Sequence, residues 1–296
     1  MSIFVNSETR VIVQGMTGRA GTFYTDQAVR YGSTYVGGVR PGKGGRKHLD
    51  LPLFDTVAEA VAATGANASL VIVPAPFAAN AMIEAIEAGV ETVVCVTERV
   101  PQHDMSRVKA ALRSSDTMLI GPNSQGILSP GQCKIGVMPT VEAKPGNIGI
   151  ASRSASLTSE ILAQCSRAGL GQSTTVGIGG DTLHGVDFVD CLKRFKDDPE
   201  TEAVVLIGEI GGRAEEDAAD YLQSVEFGKP VVSLVVGRHA PQGRRMGHAG
   251  TVSSFGLGSA AEKTDRLRRA GVTIAVNADD VVAALVAQRK GAMADA

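Results

Sequence analysis

The stretch GRHAPQGRRMGHAGTVSS, from Gly237 to Ser254, is glycine-rich and basic, and it holds His248 between Gly247 and Gly250. One reading is a solvated basic loop with an incidental histidine. The other is an imidazole that must meet a bulky anion, with small neighbours so that nothing blocks it. An imidazole becomes a directed nucleophile when a carboxylate fixes its tautomer from the far ring nitrogen. Glu209, in LIGEIGG (206–212), follows a β-branched run and sits between glycines. It is either a solvated turn residue or that orienting partner. In IASRSASLTSEIL (150–162) a hydroxyl-rich turn leads from a strand pattern into a helix pattern. Ser154 or Ser156 fits the N-cap, and the helix start is then a ready anion site.

Two further glycine-rich loops lie near the N-terminus. In QGMTGRAGTFYT (14–25), Gly15, Gly18 and Gly21 are spaced G-x-x-G-x-x-G rather than in the dinucleotide pattern G-x-G-x-x-G. Small residues there let a phosphate approach a helix N-terminus; a plain strand-to-helix turn is the alternative. The second loop, GGVRPGKGGRKH (37–48), adds Arg40, Lys43, Arg46 and Lys47. Together they suggest a ligand with several phosphates, against the alternative of a solvated basic loop.

These loops need elements to position them. Nearly continuous apolar runs occur at 10–14, 33–39, 69–75, 92–97 and 118–123. They read as strands buried on both faces of a parallel sheet. Helical patterns lie between them at Thr56–Thr64, Ala78–Ala88 and Gln102–Ser114. The stretch 129–146 reads as a crossover between domains. The alternation restarts with strands at 147–152, 172–179, 203–210, 230–237 and 272–276. Helices are expected at Ser156–Ala168, Val186–Asp197, Glu215–Val225, Ala260–Ala270 and Asp279–Arg289. The expectation is an α/β chain of two doubly wound domains: a Rossmann-like domain over 1–130 and a flavodoxin-like domain over 131–296. Ligands would then bind beyond the carboxyl ends of the strands.

Bulk properties narrow the class. The 296 residues carry 29 Lys+Arg and 31 Asp+Glu, a formal net charge of -2. That balance argues against nucleic-acid and membrane-surface roles. Cys95, Cys133, Cys165 and Cys191 are widely spaced, which fits neither a disulfide framework nor a zinc site. With no signal-peptide pattern and no apolar run of bilayer length, a soluble cytoplasmic protein without metal ligands is expected.

The strings QGMTGRAGTF, VGGVRPGKGG, GPNSQG, SRSASLT, VGIGGD, IGEIGG and GRRMGHAG, in this order, resemble the α subunit of succinyl-CoA synthetase (succinate–CoA ligase). They are similar also to its relatives such as malate–CoA ligase. The resemblance runs from about Ser2 to about Ala287. It implies a CoA-binding Rossmann-like domain, a flavodoxin-like ligase domain, and an ATP-grasp β subunit, in a heterodimer or heterotetramer, that holds ATP or GTP with Mg2+. By resemblance, Thr17, Gly18, Arg19, Ala20, Lys43, Val96, Thr97 and Glu98 contact coenzyme A. His248 is the phosphohistidine, and Glu209 bonds its other ring nitrogen. The helix beginning near Ser154 supplies one of two positive helix ends for the phosphate.

Three short stretches depart from the family pattern. GPNSQG stands where G-P-N-C-P-G or G-P-N-C-A-G is usual, SRSASL where S-R-S-G-T-L is usual, and Ser159 replaces a substrate-contacting Tyr. In the family these loops cup the acid. The resemblance thus assigns Asn123, Ser124, Gln125, Ser154, Ala155, Ser156 and Ser159 to an altered acid pocket. A dicarboxylate other than succinate is expected, with an ordinary succinate site as the alternative. A non-catalytic CoA-binding module is the rival of another class, and keeping both Glu209 and His248 argues against it. An NAD-dependent oxidoreductase is disfavoured by the first loop's glycine spacing and by a basic, not acidic, end to the second strand.

Overall fold

The computed structural model describes residues 2–252 and 258–294, with side chains to residue 288. Ser253 and Ser254, at the end of the His248 stretch, lie outside the described residues. The chain folds as two compact units, one of 4–140 with 183–186, the other built from the residues up to Ile3, 141–182 and the residues from 187 onward.

The first unit alternates β1 (Arg10–Gln14), α1 (Arg19–Tyr31), β2 (Thr34–Val39), β3 (Lys47–His48), β4 (Leu51–Phe54), α2 (Val57–Thr64), β5 (Ala68–Val71), α3 (Ala75–Glu87), β6 (Thr92–Cys95), α4 (Gln102–Leu112) and β7 (Met118–Ile120). The sheet order is β3-β4-β2-β1-β5-β6-β7. All neighbours pair parallel except the edge strand β3. Without β3, this is the 3-2-1-4-5-6 order of a Rossmann sheet, whose strand order reverses between β1 and β5. The β-branched runs form strands because both faces are covered: Val11, Ile12 and Val13 are fully buried. An antiparallel hairpin, β8 (Gly126–Ser129) and β9 (Cys133–Gly136), completes this unit.

The second unit contains β10 (Pro145–Ser152), α5 (Ala155–Arg167), β11 (Gln172–Gly177), α6 (Phe188–Asp197), β12 (Ala203–Glu209), α7 (Ala214–Ser224), β13 (Val231–Val236), α8 (Ala260–Arg269), β14 (Thr273–Ala275) and α9 (Ala278–Ala294). Its strands run β14-β13-β12-β10-β11, and all pair parallel. In chain order that is 2-1-3-4-5, the flavodoxin order, with its switch between β10 and β12. Helix α6 starts on a capping box: Asp187 accepts from the Asp190 amide at 2.9 Å, and Asp190 accepts from the Asp187 amide at 3.1 Å.

Several expected boundaries shift. The strand expected over 69–75 stops at Val71, because Pro74 has no N–H for a ladder and instead caps α3. The expected crossover over 129–146 contains β9, too short to show periodicity. The basic loop over 37–48 is part strand, with Gly37 and Gly38 inside β2. No helix among the described residues is long and apolar enough to cross a membrane.

Candidate functional site

Three loops at the carboxyl end of the second sheet meet at its switch point. Arg153 follows β10, Glu209 ends β12, and His248 lies in the long connection after β13. His248 Nδ1 is 2.7 Å from Glu209 Oε2. The Arg153 Nε is 3.3 Å from the other carboxylate oxygen, Oε1. That contact is an ion pair without a hydrogen bond. Arg153 also donates from Nη2 to the Asp181 carbonyl at 3.3 Å. The side chains of Arg153 and Glu209 are each 5% exposed, whereas that of His248 is 34% exposed. A buried carboxylate thus carries a half-buried imidazole on one oxygen and a buried guanidinium beside the other.

The hydrogen bond that His248 donates to Glu209 raises its pKa above the ordinary 6.5; burial and the Arg153 charge oppose it. With Nδ1 donating to Glu209, the neutral ring carries its lone pair on Nε2. That nitrogen has no hydrogen bond among the described residues and is the one able to react.

The loop carrying His248 is fastened. Thr251 donates its hydroxyl to the carbonyls of Met246 (2.6 Å) and His248 (2.7 Å), and its amide bonds the His248 carbonyl at 3.2 Å. Glycines make the room the ring needs. A Cβ on Gly180 would stand 2.4 Å from His248 Cγ, and one on Gly211 would stand 1.9 Å from the Gly250 carbonyl oxygen. Sequence reasoning missed Arg153, Gly180 and Asp181, although SRSASLT and VGIGGD contain them. Nothing in a single sequence says which residue of a motif faces which.

The N-cap of α5 is Ser154, whose hydroxyl accepts from the Leu157 amide at 3.4 Å. Ala155 and Ser156 stand exposed in its first turn. No acidic residue occupies that turn, so the helix end stays electropositive. The Ser159 hydroxyl donates to the Ala155 carbonyl at 3.2 Å, so its proton is used within its own helix.

In the first unit, two cavities open at the carboxyl end of the sheet around its switch point. One, of about 560 Å³, is lined by Gln14, Thr17 and Gly18 after β1, Arg40 after β2, and Ile72–Pro74 after β5. The other, of about 550 Å³, is lined by Gly18–Gly21 with Val96, Thr97 and Glu98. Helix α1 has no side-chain cap and no acid in its first turn, so its free amides face these cavities with nothing to neutralise them. Arg40 donates to the Thr17 hydroxyl. Lys43 lines neither cavity. Its loop is pinned by Asp55, which accepts from the Lys43 amide at 2.9 Å and the Gly44 amide at 2.8 Å. These amides, Gly44 foremost, hold the Asp55 carboxyl below its ordinary value.

Asn123, Ser124 and Gln125 lie between β7 and β8. Asn123 adopts φ 55°, left-handed geometry that asparagine tolerates. The Ser124 hydroxyl accepts from the Gly126 amide at 2.8 Å. The Gln125 carbonyl accepts from Val137 and Met138, while its side-chain Nε2 is buried with no hydrogen-bond partner among the described residues.

Comparison with known proteins agrees with this layout. A family model for a CoA binding domain matches residues 6–99, and one for CoA-ligase matches residues 151–273. The chain is 50% identical over 274 residues to the ADP-forming succinate–CoA ligase subunit alpha 2 of Archaeoglobus fulgidus, covering 93% of this chain and 95% of that protein. It is also 50% identical over 279 residues to the corresponding alpha subunit of Aquifex aeolicus, covering 94% and 91%. Among solved structures it superposes on Methanosaeta concilii ATP citrate lyase in complex with (3S)-citryl-CoA with a TM-score of 0.86 at 23% identity. That match covers 95% of this chain but 50% of the lyase chain, and it speaks for the fold alone.

Proposed function

The chain belongs to the succinate–CoA ligase α-subunit family, and from that premise we propose that it activates a carboxylic acid through a phosphorylated His248. The supporting observation is the 2.7 Å contact between Glu209 and His248 Nδ1, which leaves Nε2 as the available nucleophile. The reaction runs in three balanced steps. The Nε2 lone pair attacks the terminal phosphorus of a nucleoside triphosphate, forming an N–P bond as the diphosphate leaves. A substrate carboxylate oxygen attacks the same phosphorus, breaking the N–P bond and giving an acyl phosphate. The coenzyme A thiol, as thiolate, then attacks the acyl carbon and inorganic phosphate departs. Each attack meets a good leaving group, which a free carboxylate lacks.

Arg153 and Glu209 form a nearly neutral buried pair beside the imidazole. Glu209 fixes the tautomer, and the N-terminus of α5 offers amides to the phosphoryl oxygens. Thr17, Gly18, Arg19, Ala20, Val96, Thr97 and Glu98 hold coenzyme A around the two cavities, and Lys43, which lines neither, reaches a phosphate from its loop. The CoA-binding part is residues 1–130 and the ligase part 131–296. The nucleotide and its Mg2+ sit on an ATP-grasp β subunit in a cytoplasmic heteromer.

The acid is a more polar or bulkier dicarboxylate than succinate. The supporting observation is the buried Gln125 Nε2, which has no hydrogen-bond partner among the described residues and is a donor that an acid with an added oxygen would satisfy. A site with idle buried donors penalises a ligand that leaves them unpaired by ~1–3 kcal/mol each. An ordinary succinate site is the second reading, favoured because Ser159 spends its proton on its own helix. The reconstituted pair, assayed with succinate, malate, itaconate and citramalate, separates them through kcat/KM. The proposal expects a substituted acid to lead and Gln125→Ala to narrow its advantage. Succinate leading in the wild type, with Ser159→Tyr merely improving it, overturns the altered pocket.

A further inference from the structure

Directly behind the Glu209–His248 pair lies a lysine with no access to solvent. Lys263, on the first turn of α8, is fully buried. Its ammonium contacts the Glu215 carboxylate, donates to the Gly211 carbonyl at 2.7 Å, and lies 3.5 Å from Glu216 Oε2. The other Glu215 oxygen accepts from the backbone amide of Glu209 at 2.9 Å. The amide of Gly211 in turn bonds the Gly258 carbonyl at 2.7 Å, just before α8. Gly208 leaves space for this arrangement, since a Cβ there would stand 2.4 Å from Glu215 Oε1.

A buried ion pair is a poor device for stability. Its desolvation cost roughly cancels its attraction, and apolar replacements are often as stable. Acidic residues in the first turn of α7 gain from the helix dipole without needing a lysine. What distinguishes this pair is where its hydrogen bonds end. One reaches the amide of Glu209 and the other the carbonyl of Gly211, so both fall on the turn that aims the Glu209 carboxylate. Gly211 also lies against the Gly250 carbonyl, in the loop that carries His248.

We propose that Lys263 and Glu215 are positioning residues: an internal clamp that holds the turn after β12 so that Glu209 meets His248 Nδ1. Neither touches substrate. The clamp acts on the backbone of Glu209 while Arg153 acts on its side chain, so the carboxylate is fixed from two directions. As a route to phosphoryl transfer, the inference rests on the carrier role assigned to His248; as a route to His248 basicity, it stands alone.

The test uses Lys263→Met/Glu215→Gln, which exchanges the charges for side chains of similar volume, and Glu215→Gln, which removes one charge and keeps every heavy-atom position. The His248 ring is titrated by NMR in the full chain, and label transfer from nucleotide is timed with the β partner present. The groups facing His248 are Glu209, Arg153 and Asp181, all unchanged in both variants. The clamp predicts that the double variant moves the His248 titration down toward its ordinary value and slows labelling by about tenfold or more, as loss of an outer partner of a functional histidine does. Glu215→Gln moves both in the same direction by less, and it decides the matter if the double variant does not fold. A His248 titration and a labelling rate within about twofold of wild type in a folded variant would overturn the proposal. A wild-type chain that takes no label on His248 would sink the carrier role instead, while the titration would still decide the clamp.

Discussion

Gly180 and His248 are in such close contact that a single methyl group on the glycine would stand 2.4 Å from the imidazole Cγ. The ring rests on bare backbone. Gly180→Ala must therefore displace His248 from Glu209. A misplacement of ~1 Å at a reacting group costs about 10²-fold. Labelling from nucleotide should fall on that scale while coenzyme A binding, measured by calorimetry, stays as in wild type. Equal losses in both would point to misfolding instead.

The charge state of His248 sets a pH dependence. Attack on phosphorus needs the neutral ring, and Glu209 holds the pKa above 6.5. The labelling rate should rise with pH through an inflection above that value. Glu209→Gln should lower the inflection and slow labelling by about 10²-fold, the scale of an acid–base partner. For stability the sign is opposite. A raised folded-state pKa contributes fully below the unfolded value and is lost as pH rises through the folded one. Urea midpoints of wild type and His248→Asn should differ more at about pH 6 than at about pH 9.

The arrangement of the sheets was legible from the chain because buried parallel strands read as apolar runs, as at Val11–Val13 and Val204–Ile207. His248 and Glu209 were legible because a histidine and a carboxylate each followed such a run among glycines. The short strands β3, β4, β8 and β9 were not, since so few residues carry no period. Arg153 was hidden for another reason. A basic residue after a strand normally reads as solvated, and only the fold shows that Arg153 is buried against Glu209. Asp55 was equally silent: its work is to bind the amides of Lys43 and Gly44 from across the loop.

The Lys43 loop gives a test of coenzyme A binding. Lys43→Ala should weaken binding by about 1–2 kcal/mol, one charge-assisted hydrogen bond. Asp55→Ala should weaken it in the same direction, because the loop loses the acceptor that shapes it. Calorimetry that finds Asp55→Ala neutral while Lys43→Ala is costly would detach the loop's shape from its function.

Lys134 should govern alkaline stability. It is 1% exposed, its Nζ has no hydrogen-bond partner among the described residues, and it lies over the Tyr24 ring at 5.7 Å from the centroid. Burial pushes its pKa down to about 8 from 10.5. Between those values the unfolded chain binds the extra proton, so stability contributed by this site should rise with pH. Lys134→Met should raise the urea midpoint at neutral pH and lose that advantage toward pH ~10. A variant less stable than wild type at neutral pH would mean that the contact with the Tyr24 ring outweighs the cost of burial.

The central claim is that His248 carries the phosphoryl group. The direct measurement mixes the chain with its β partner and a nucleoside triphosphate labelled at the terminal phosphate, then maps acid-labile phosphate by peptide mass spectrometry. The account predicts label on His248 alone, released on adding acid substrate and coenzyme A. It also predicts neither label nor turnover in His248→Asn, with coenzyme A binding intact. Full turnover in His248→Asn, or label on a different residue, would contradict it.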